Sequence, residues 1–420
     1  MEDLVIAHTQ NGLVTGLFEA QKLIEVFSVG EGDDGCLGNI YNAKIQNIVK
    51  NIEAVFVEYE KGKVAYLSMK DCQEALVRPL LTREKKGKKW KLCIGDELLI
   101  QIEKDGIKTK SPAATCRLNF PGRFVVLVHG TGTTGVSSKI HSKKRKEELQ
   151  GLAREFMEEM GEGFHLVFRT NAEETPDDVL REESGVLFAR YQKVLKEGRH
   201  RTVFSVVEKA PSMQVRAVKD QRAGSLHRIL TDDREVYEEI QAYLKDYQKE
   251  DLGRLKFYGE EGVRLDALYG ISSQLIKALQ PRVWLKSGAY LVIEPTEALT
   301  VIDVNTGKAI AGKREKEETL WKVNREAAVE IARQLRLRNL TGMILVDFID
   351  MEKPENQKLL ISTLREAIAK DPVKTSYIDL TKLYLVELTR KRTRRPLHEM
   401  MAHCRKDESR MRCRNYPFLP

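Results

Sequence analysis

Residues Leu299–Asp350 read LTVIDVNTGKAIAGKREKEETLWKVNREAAVEIARQLRLRNLTGMILVDFID, and the periodicity of this stretch decides how the chain folds. Two hydrophobic runs, Leu299–Asn305 and Met343–Asp350, each carry an aspartate near the end, Asp303 and Asp347. Thr306-Gly307 breaks the first run. Between the runs, Leu320, Val323, Ala327, Ile331 and Leu335 recur at helical spacing, so Glu317–Arg338 is expected as a basic amphipathic helix. Asn339 and Gly342 end it. A strand–helix–strand unit places its two strands parallel. If they are neighbours, their axes lie ~4.8 Å apart. Both aspartates then reach the carboxyl end of the sheet, where open α/β sheets bind ligands. Upstream, Tyr290–Ile293 is joined to the first run by Glu294–Glu297, a turn-like link that predicts a hairpin.

Side chains two apart on a strand share a face, so Asn305 stands beside Asp303. Two carboxylates this close raise each other's pKa unless a cation relieves the repulsion. One or two carboxylates, with water and phosphate filling the other positions, is how Mg²⁺ is usually held. Such an ion polarises a phosphoryl oxygen and makes water more acidic, while Asn305 can orient water or phosphate as a neutral donor. A second reading stays open at this point, in which each aspartate merely caps a strand or a following turn. Asp350 is a further carboxylate, read as a helper or a turn residue.

Working outward, the 420 residues exceed one typical domain of ~150 residues, so two to four units are expected. No run of ~18 apolar residues occurs, which excludes an ordinary transmembrane helix. The acidic start MEDLVIAHTQNG lacks the basic-then-apolar order of a signal peptide. Six scattered cysteines suit a reducing compartment, and a cytoplasmic protein is expected. The net charge of +8 is modest, but Lys and Arg gather in Arg83–Lys91, Lys139–Lys146 and Thr389–Arg414. Each run alone is an ordinary solvated loop; together with the carboxylates they point to a polyanionic partner. No GxxxxGK[ST] loop is present, which argues against a nucleotide phosphotransferase.

Asn39–Val49, Ala54–Glu60, Val64–Ser68 and Glu97–Lys104 alternate as strands, with glycines between or beside them. Five short strands in ~80 residues suggest an OB-type barrel over 36–118. Phe56 and Tyr66 fall on neighbouring strands and are either core or a stacking platform for single-stranded bases. The section 119–214 mixes strands (Arg123–Val128, Phe164–Arg169, Thr202–Glu208) with helices around Lys143–Met160 and Asp177–Glu197. Residues 215–278 are expected to partner the N-terminal stretch 1–35, whose strand-like runs are Leu4–His8 and Leu23–Ser28, and the barrel would then be inserted into a split domain. Residues 279–395 form the clearest α/β unit.

The segments Gly288–Lys308 (GAYLVIEPTEALTVIDVNTGK) and Ala327–Met351 (AAVEIARQLRLRNLTGMILVDFIDM) resemble the catalytic blocks of the ribonuclease E/G family of bacterial and plastid endoribonucleases. Gly38–Val57, Arg169-Thr170 and Leu385–Arg392 (LVELTRKR) extend the likeness over about residues 1 to 400. The resemblance implies a multidomain α/β chain, α+β overall. Its parts would be an RNase H-like domain (1–35 and 215–278), an inserted OB-fold RNA-binding domain (36–118), a 5′-sensor region (119–214) and a DNase I-like catalytic domain (279–400). In the family two aspartates bind Mg²⁺ and an asparagine supports them, which transfers here to Asp303, Asp347 and Asn305 as catalytic residues. The implied reaction is hydrolysis of single-stranded RNA to 5′-phosphate and 3′-hydroxyl ends, in rRNA and mRNA processing and decay. Arg169 and Thr170 would grip a 5′-monophosphate through charge-assisted hydrogen bonds, with Val128 contributing backbone groups. Phe56, Tyr66 and Lys110 match the RNA contacts of the barrel.

Two departures stand out. The family's CPxC-type zinc pair is absent: Cys404 stands where the first cysteine belongs, yet the next is Cys413, against the two-to-four-residue spacing of compact zinc motifs. Residues 401–420 are therefore expected as a degenerate zinc-link region or basic tail, and a zinc-linked homodimer as weakened. Leu383-Tyr384 stands where the family has Leu-Gly. The chain ends at Pro420 without a long extension, which favours the shorter G-type branch. The alternative function is an RNA-binding protein whose altered C-terminus has impaired catalysis.

Overall fold

The computed structural model describes residues 2–30, 36–76, 92–104, 106, 111–222, 224–259, 262–308 and 316–402. The chain divides into a unit of residues 34–223 and a second unit made of 1–33 and 224–420, so the first is inserted into the second. The whole is α+β and multidomain, with a closed OB-like barrel. Among the described residues no helix is long and apolar enough to cross a membrane.

In the inserted unit, strands Ile40–Val49, Ala54–Glu60, Lys63–Ser68, Ala113–Thr115 and Glu97–Lys104 pair in that order, and the last returns to the first. Closure leaves alternate residues inside: Val55, Val57, Ala65, Leu67, Leu98 and Ile100 are buried together. The four strands expected here form within a residue of their predicted bounds. The fifth, Ala113–Thr115, is too short to announce itself. Beside the barrel, a four-stranded sheet contains Val125–His129 and Phe164–Phe168, covered by helices Lys143–Met160 and Asp177–His200.

The second unit holds two sheets. The smaller runs Leu255–Phe257, Leu226–Thr231, Glu2–Thr9, Gly12–Glu19, Lys22–Val29, with its first three strands parallel and the rest a meander. Strands from the start of the chain thus pair with strands more than two hundred residues later. The strand Gly12–Glu19 was not foreseen, because Gly16 interrupts its pattern; a Cβ at Gly16 would lie only 2.8 Å from Leu23 Cδ1, so glycine lets the neighbouring strand approach.

The larger sheet runs Arg282–Trp284, Tyr290–Pro295, Leu299–Asn305, Gly342–Asp347, Leu385–Arg390, Thr375–Leu380. Only the Leu299–Asn305 and Gly342–Asp347 pair is parallel, joined through helix Lys316–Leu337 as the crossover rule requires. The expected stripe Leu320, Val323, Ala327, Ile331 and Leu335 is buried against Ile302, Val304, Ile344 and Val346. The basic side of this helix also has a structural use. Arg333 Nη1 donates to the Leu23 carbonyl at 3.0 Å, and Arg336 Nε to Glu25 at 2.6 Å. Glu25 is 2% exposed and also pairs with Arg394, so two guanidinium groups satisfy one buried carboxylate. Arg390, in the TRKR segment, is likewise internal: its guanidinium meets Asp371 at 2.7 Å and Asn339 at 2.6 Å.

Candidate active site

Asp303 and Asp347 are partners in the register of the two parallel strands, the last such pair at their carboxyl ends. Adjacent parallel strands are ~4.8 Å apart, so strand pairing alone holds the two carboxylates side by side. Asn305 Nδ2 donates to Asp303 Oδ2 at 2.6 Å, which fixes both side chains. The Asp347 pKa is raised above the ordinary aspartate value, first by partial desolvation and then by the negative charges of Asp303 and Asp350. Repulsion of this kind is what a bound cation removes.

The loop after Asp347 is pinned from the crossover helix. Asn324, fully buried, donates to the Ile349 carbonyl at 2.7 Å and accepts from the Ile349 amide at 3.1 Å. Glu317 accepts from the amides of Glu352 and Lys353 and from Asn356 Nδ2 at 2.9 Å, anchoring the entry to helix Pro354–Ala369. On the other side, Gly307 turns the chain with φ +52°, and a Cβ there would collide with the Gly288 carbonyl oxygen. Its neighbour Lys308 donates to that same oxygen at 3.2 Å. Neither Asn324 nor Gly288 stood out in the sequence; a buried asparagine on an apolar helical stripe was the available signal.

Two aspartates and an asparagine fit a hard, water-rich cation such as Mg²⁺, which needs only one or two protein carboxylates. Among the described residues no group of three or more His, Cys, Asp or Glu forms a denser metal cage.

A second cluster lies in the inserted unit. Arg169 follows strand Phe164–Phe168; its Nη1 donates to the Gly122 carbonyl at 2.8 Å and its Nη2 to Asp220 Oδ1 at 2.8 Å. Thr170 Oγ1 shares a 2.9 Å hydrogen bond with Ser137 Oγ. Lys219, 5% exposed, donates to the Pro121 carbonyl at 3.3 Å; burial lowers its pKa to about 8, Asp220 works against that, and Arg169, Arg190 and Arg216 add to it. Below this cluster Glu183 accepts the amides of Arg123, Phe124 and Val125 at 2.6 to 2.8 Å. Val128 is not brought to Arg169: it pairs with His165, three steps from the Val125–Phe168 pair, or about 10 Å along the strand. Gly122 and Asp220 are the neighbours that the sequence did not reveal.

On the barrel, Phe56 and Tyr66 face each other across neighbouring strands, ring centroids 6.2 Å apart, with Tyr66 exposed and Phe56 half-buried. They are a surface pair and not part of the barrel core. Lys110 and Cys404 lie outside the described residues.

Residues 119–393 match the model of the ribonuclease E/G family. Over 396 residues the chain is 33% identical to ribonuclease G of Salmonella typhimurium, covering 91% of this chain and 78% of that protein. It is 32% identical over 406 residues to ribonuclease G of Haemophilus influenzae, covering 95% and 81%. A ribonuclease E of Nostoc sp. is 33% identical over 369 residues, 87% of this chain but only 52% of the longer protein.

Proposed function

This chain belongs to the ribonuclease E/G family, and on that premise we propose that it is an endoribonuclease which cuts single-stranded RNA at the Asp303–Asp347 edge. The observation that carries the reading is the register: two carboxylates, 44 positions apart in sequence, are paired at the end of adjacent parallel strands. They are held beside an asparagine, and the proton affinity of Asp347 is raised by partial burial and by the neighbouring charges of Asp303 and Asp350.

Asp303 and Asp347 would hold a divalent cation, Mg²⁺ by the oxygen character of the site. When bound, that ion supplies charge stabilisation at the phosphoryl oxygens and acidifies water. The chain's own groups do the positioning. Asn305 keeps the Asp303 carboxylate in one orientation and offers its amide to a phosphate oxygen or water. Asn324 keeps the Phe348–Asp350 loop, and with it Asp347, at the sheet edge. Hydrolysis forms a bond from the water oxygen to phosphorus and breaks the bond to the 3′ oxygen, which takes a proton. The products carry a 5′-phosphate and a 3′-hydroxyl.

The other features suit the same substrate. Phe56 and Tyr66 form a surface pair on which bases can stack, and the family likeness implies Lys110 as a further RNA contact. Arg169 and Thr170 are assigned to docking a 5′-monophosphate, and Val128, about 10 Å along the strand, to a backbone contact farther from that phosphate. The split sheet and the six-stranded sheet are read as the RNase H-like and DNase I-like domains of this family.

The test is incubation of purified protein with end-labelled single-stranded RNA, in Mg²⁺ or in EDTA, with Asp303→Asn alongside. Cleavage only with Mg²⁺, loss in Asp303→Asn with RNA affinity retained, and 5′-phosphate product ends are expected. Undiminished cutting by Asp303→Asn would remove the assignment.

A further inference from the structure

Helices Lys316–Leu337 and Pro354–Ala369 cover one face of the six-stranded sheet, where Leu291, Ile293, Ile302, Val304, Ile344 and Val346 are buried. Strand alternation sends their neighbours Tyr290, Asp303, Asn305 and Asp347 to the opposite, open face. The register extends that row beyond the carboxylates. Asn305 is paired with Tyr290, and Tyr290 with Trp284. One strand spacing of ~4.8 Å therefore separates Tyr290 from Asn305, and two separate Trp284 from it.

The rings form a shelf. Trp284 is 61% exposed, although a tryptophan that size normally buries most of its surface. Its centroid lies 5.1 Å from that of Tyr290, with the planes tilted by 58°. The Arg282 guanidinium sits 4.6 Å from the Tyr290 centroid and 5.8 Å from that of Trp284. It is held by the rings, and no carboxylate pairs with it among the described residues. A fixed cation beside exposed π faces, one or two strands from a site suited to phosphodiester chemistry, matches a ligand with both flat rings and phosphates.

We propose that Trp284 and Tyr290, with Arg282, stack a nucleobase of the RNA immediately flanking the bond cut at Asp303 and Asp347. The shelf would fix which phosphate reaches the carboxylates, because a stacked base limits how the strand slides across the sheet. The placement rests on the cleavage reading above, whereas the stacking itself can be read without cleavage.

The experiment uses the full chain and a single-stranded RNA carrying 5-iodouridine at successive positions, irradiated in EDTA so that nothing is cut. Adducts on Trp284 or Tyr290 at one or two adjacent RNA positions are expected, and Trp284→Ala should abolish its own adduct and weaken that of Tyr290. In Mg²⁺, an abasic nucleotide at the position so found should lower kcat/KM on the order of tenfold with the intact protein. It should have little further effect with Trp284→Ala, while Trp284→Phe, which retains a ring, should keep most of the penalty. Adducts confined to other residues, or an equal abasic penalty with and without Trp284, would overturn the shelf. Self-association that is lost on Trp284→Ala, without such adducts, would overturn it in favour of contact with a second copy. If the adducts form while Asp303→Asn still cuts, the cleavage reading fails and the stacking surface survives without its assigned place.

Discussion

The Asp303–Asp347 edge and the Arg169–Thr170 corner are both short motifs, yet the two are finished to different degrees. At the edge, backbone pairing holds like charges together, and the Asp347 pKa is raised first by partial burial and then by the charges of Asp303 and Asp350. At the corner, the charge is already answered: Arg169 holds the Gly122 carbonyl and Asp220, and Thr170 holds Ser137. The edge gains by taking up a cation. On the proposed reading the corner would have to exchange an existing anion for a new one. A site built from unrelieved repulsion should respond to ligand removal far more than a site whose ion pair is merely swapped.

The largest effect expected from this contrast is at the edge. Loss of a supporting group around a metal typically costs ~10–100-fold, and loss of a carboxylate that holds the ion should exceed that. Asp347→Asn should therefore reduce kcat/KM by more than a hundredfold by that comparison, measured by RNA cleavage in Mg²⁺. The same substitution should raise Tm slightly in EDTA at neutral pH. The sign follows from linkage: a folded-state pKa raised above the unfolded value means that stability falls as pH rises through it. A neutral side chain removes that loss, and the gain should vanish at pH values low enough to protonate the wild-type carboxyl. A fall in Tm in EDTA would show that the folded chain does not disfavour the Asp347 charge.

Next in size is the support for the edge. Asn305→Ala removes the 2.6 Å hydrogen bond to Asp303 and should cost ~10–100-fold in kcat/KM, as loss of a group that orients a metal-binding carboxylate does. Gly307→Ala puts a Cβ against the Gly288 carbonyl at a position with φ +52°, and should lower both Tm and activity. Full activity with Gly307→Ala would mean that the turn does not position Asn305.

How much of this was legible follows from the range of the interactions. Leu320 through Leu335 announce a helix because helical spacing is local, and the parallel pairing of Asp303 with Asp347 follows from a single crossover. Gly12–Glu19 stayed hidden because Gly16 reads as a break, while its reason, the approach of Leu23, lies on another strand. Arg333 and Arg336 read as a solvated basic face, and only the fold supplies Leu23 and Glu25 as their partners. At the corner, Asp220 is 51 positions from Arg169, so nothing near the motif foretold that the guanidinium would be occupied. The family likeness assigned Val128 to that corner, whereas register leaves it three steps away.

A smaller effect therefore belongs to the corner. Asp220→Asn removes the resident anion without changing shape, and Arg169 would then meet a terminal phosphate without competition. The Arg169–Asp220 pair is partly exposed, so its contribution is screened to ~0–1 kcal/mol. That bounds the expected rise in preference for 5′-monophosphate over 5′-hydroxyl RNA to about fivefold or less. Arg169→Gln should abolish the preference instead. Equal rates on both substrates with the unaltered protein would remove Arg169 and Thr170 from end recognition.

The smallest change is confined to stability. Burial, with smaller contributions from the charges of Arg169, Arg190 and Arg216, lowers the Lys219 pKa to about 8 from 10.5, so the folded chain resists holding its proton. A lowered lysine pKa means that the unfolded chain binds more protons between those two values, and stability from this group rises with pH across that window. Below about pH 8 both states are protonated and the burial penalty is constant. Lys219→Met, which fills a similar volume without charge, should therefore raise Tm at pH 7, with the gain shrinking as pH approaches 10.5. If instead Tm falls at pH 7, the ammonium is stabilised through its Pro121 contact and Asp220. The corner would then be a charge-balanced structural node, not a site that holds unfavourable positive charge in readiness for a phosphate.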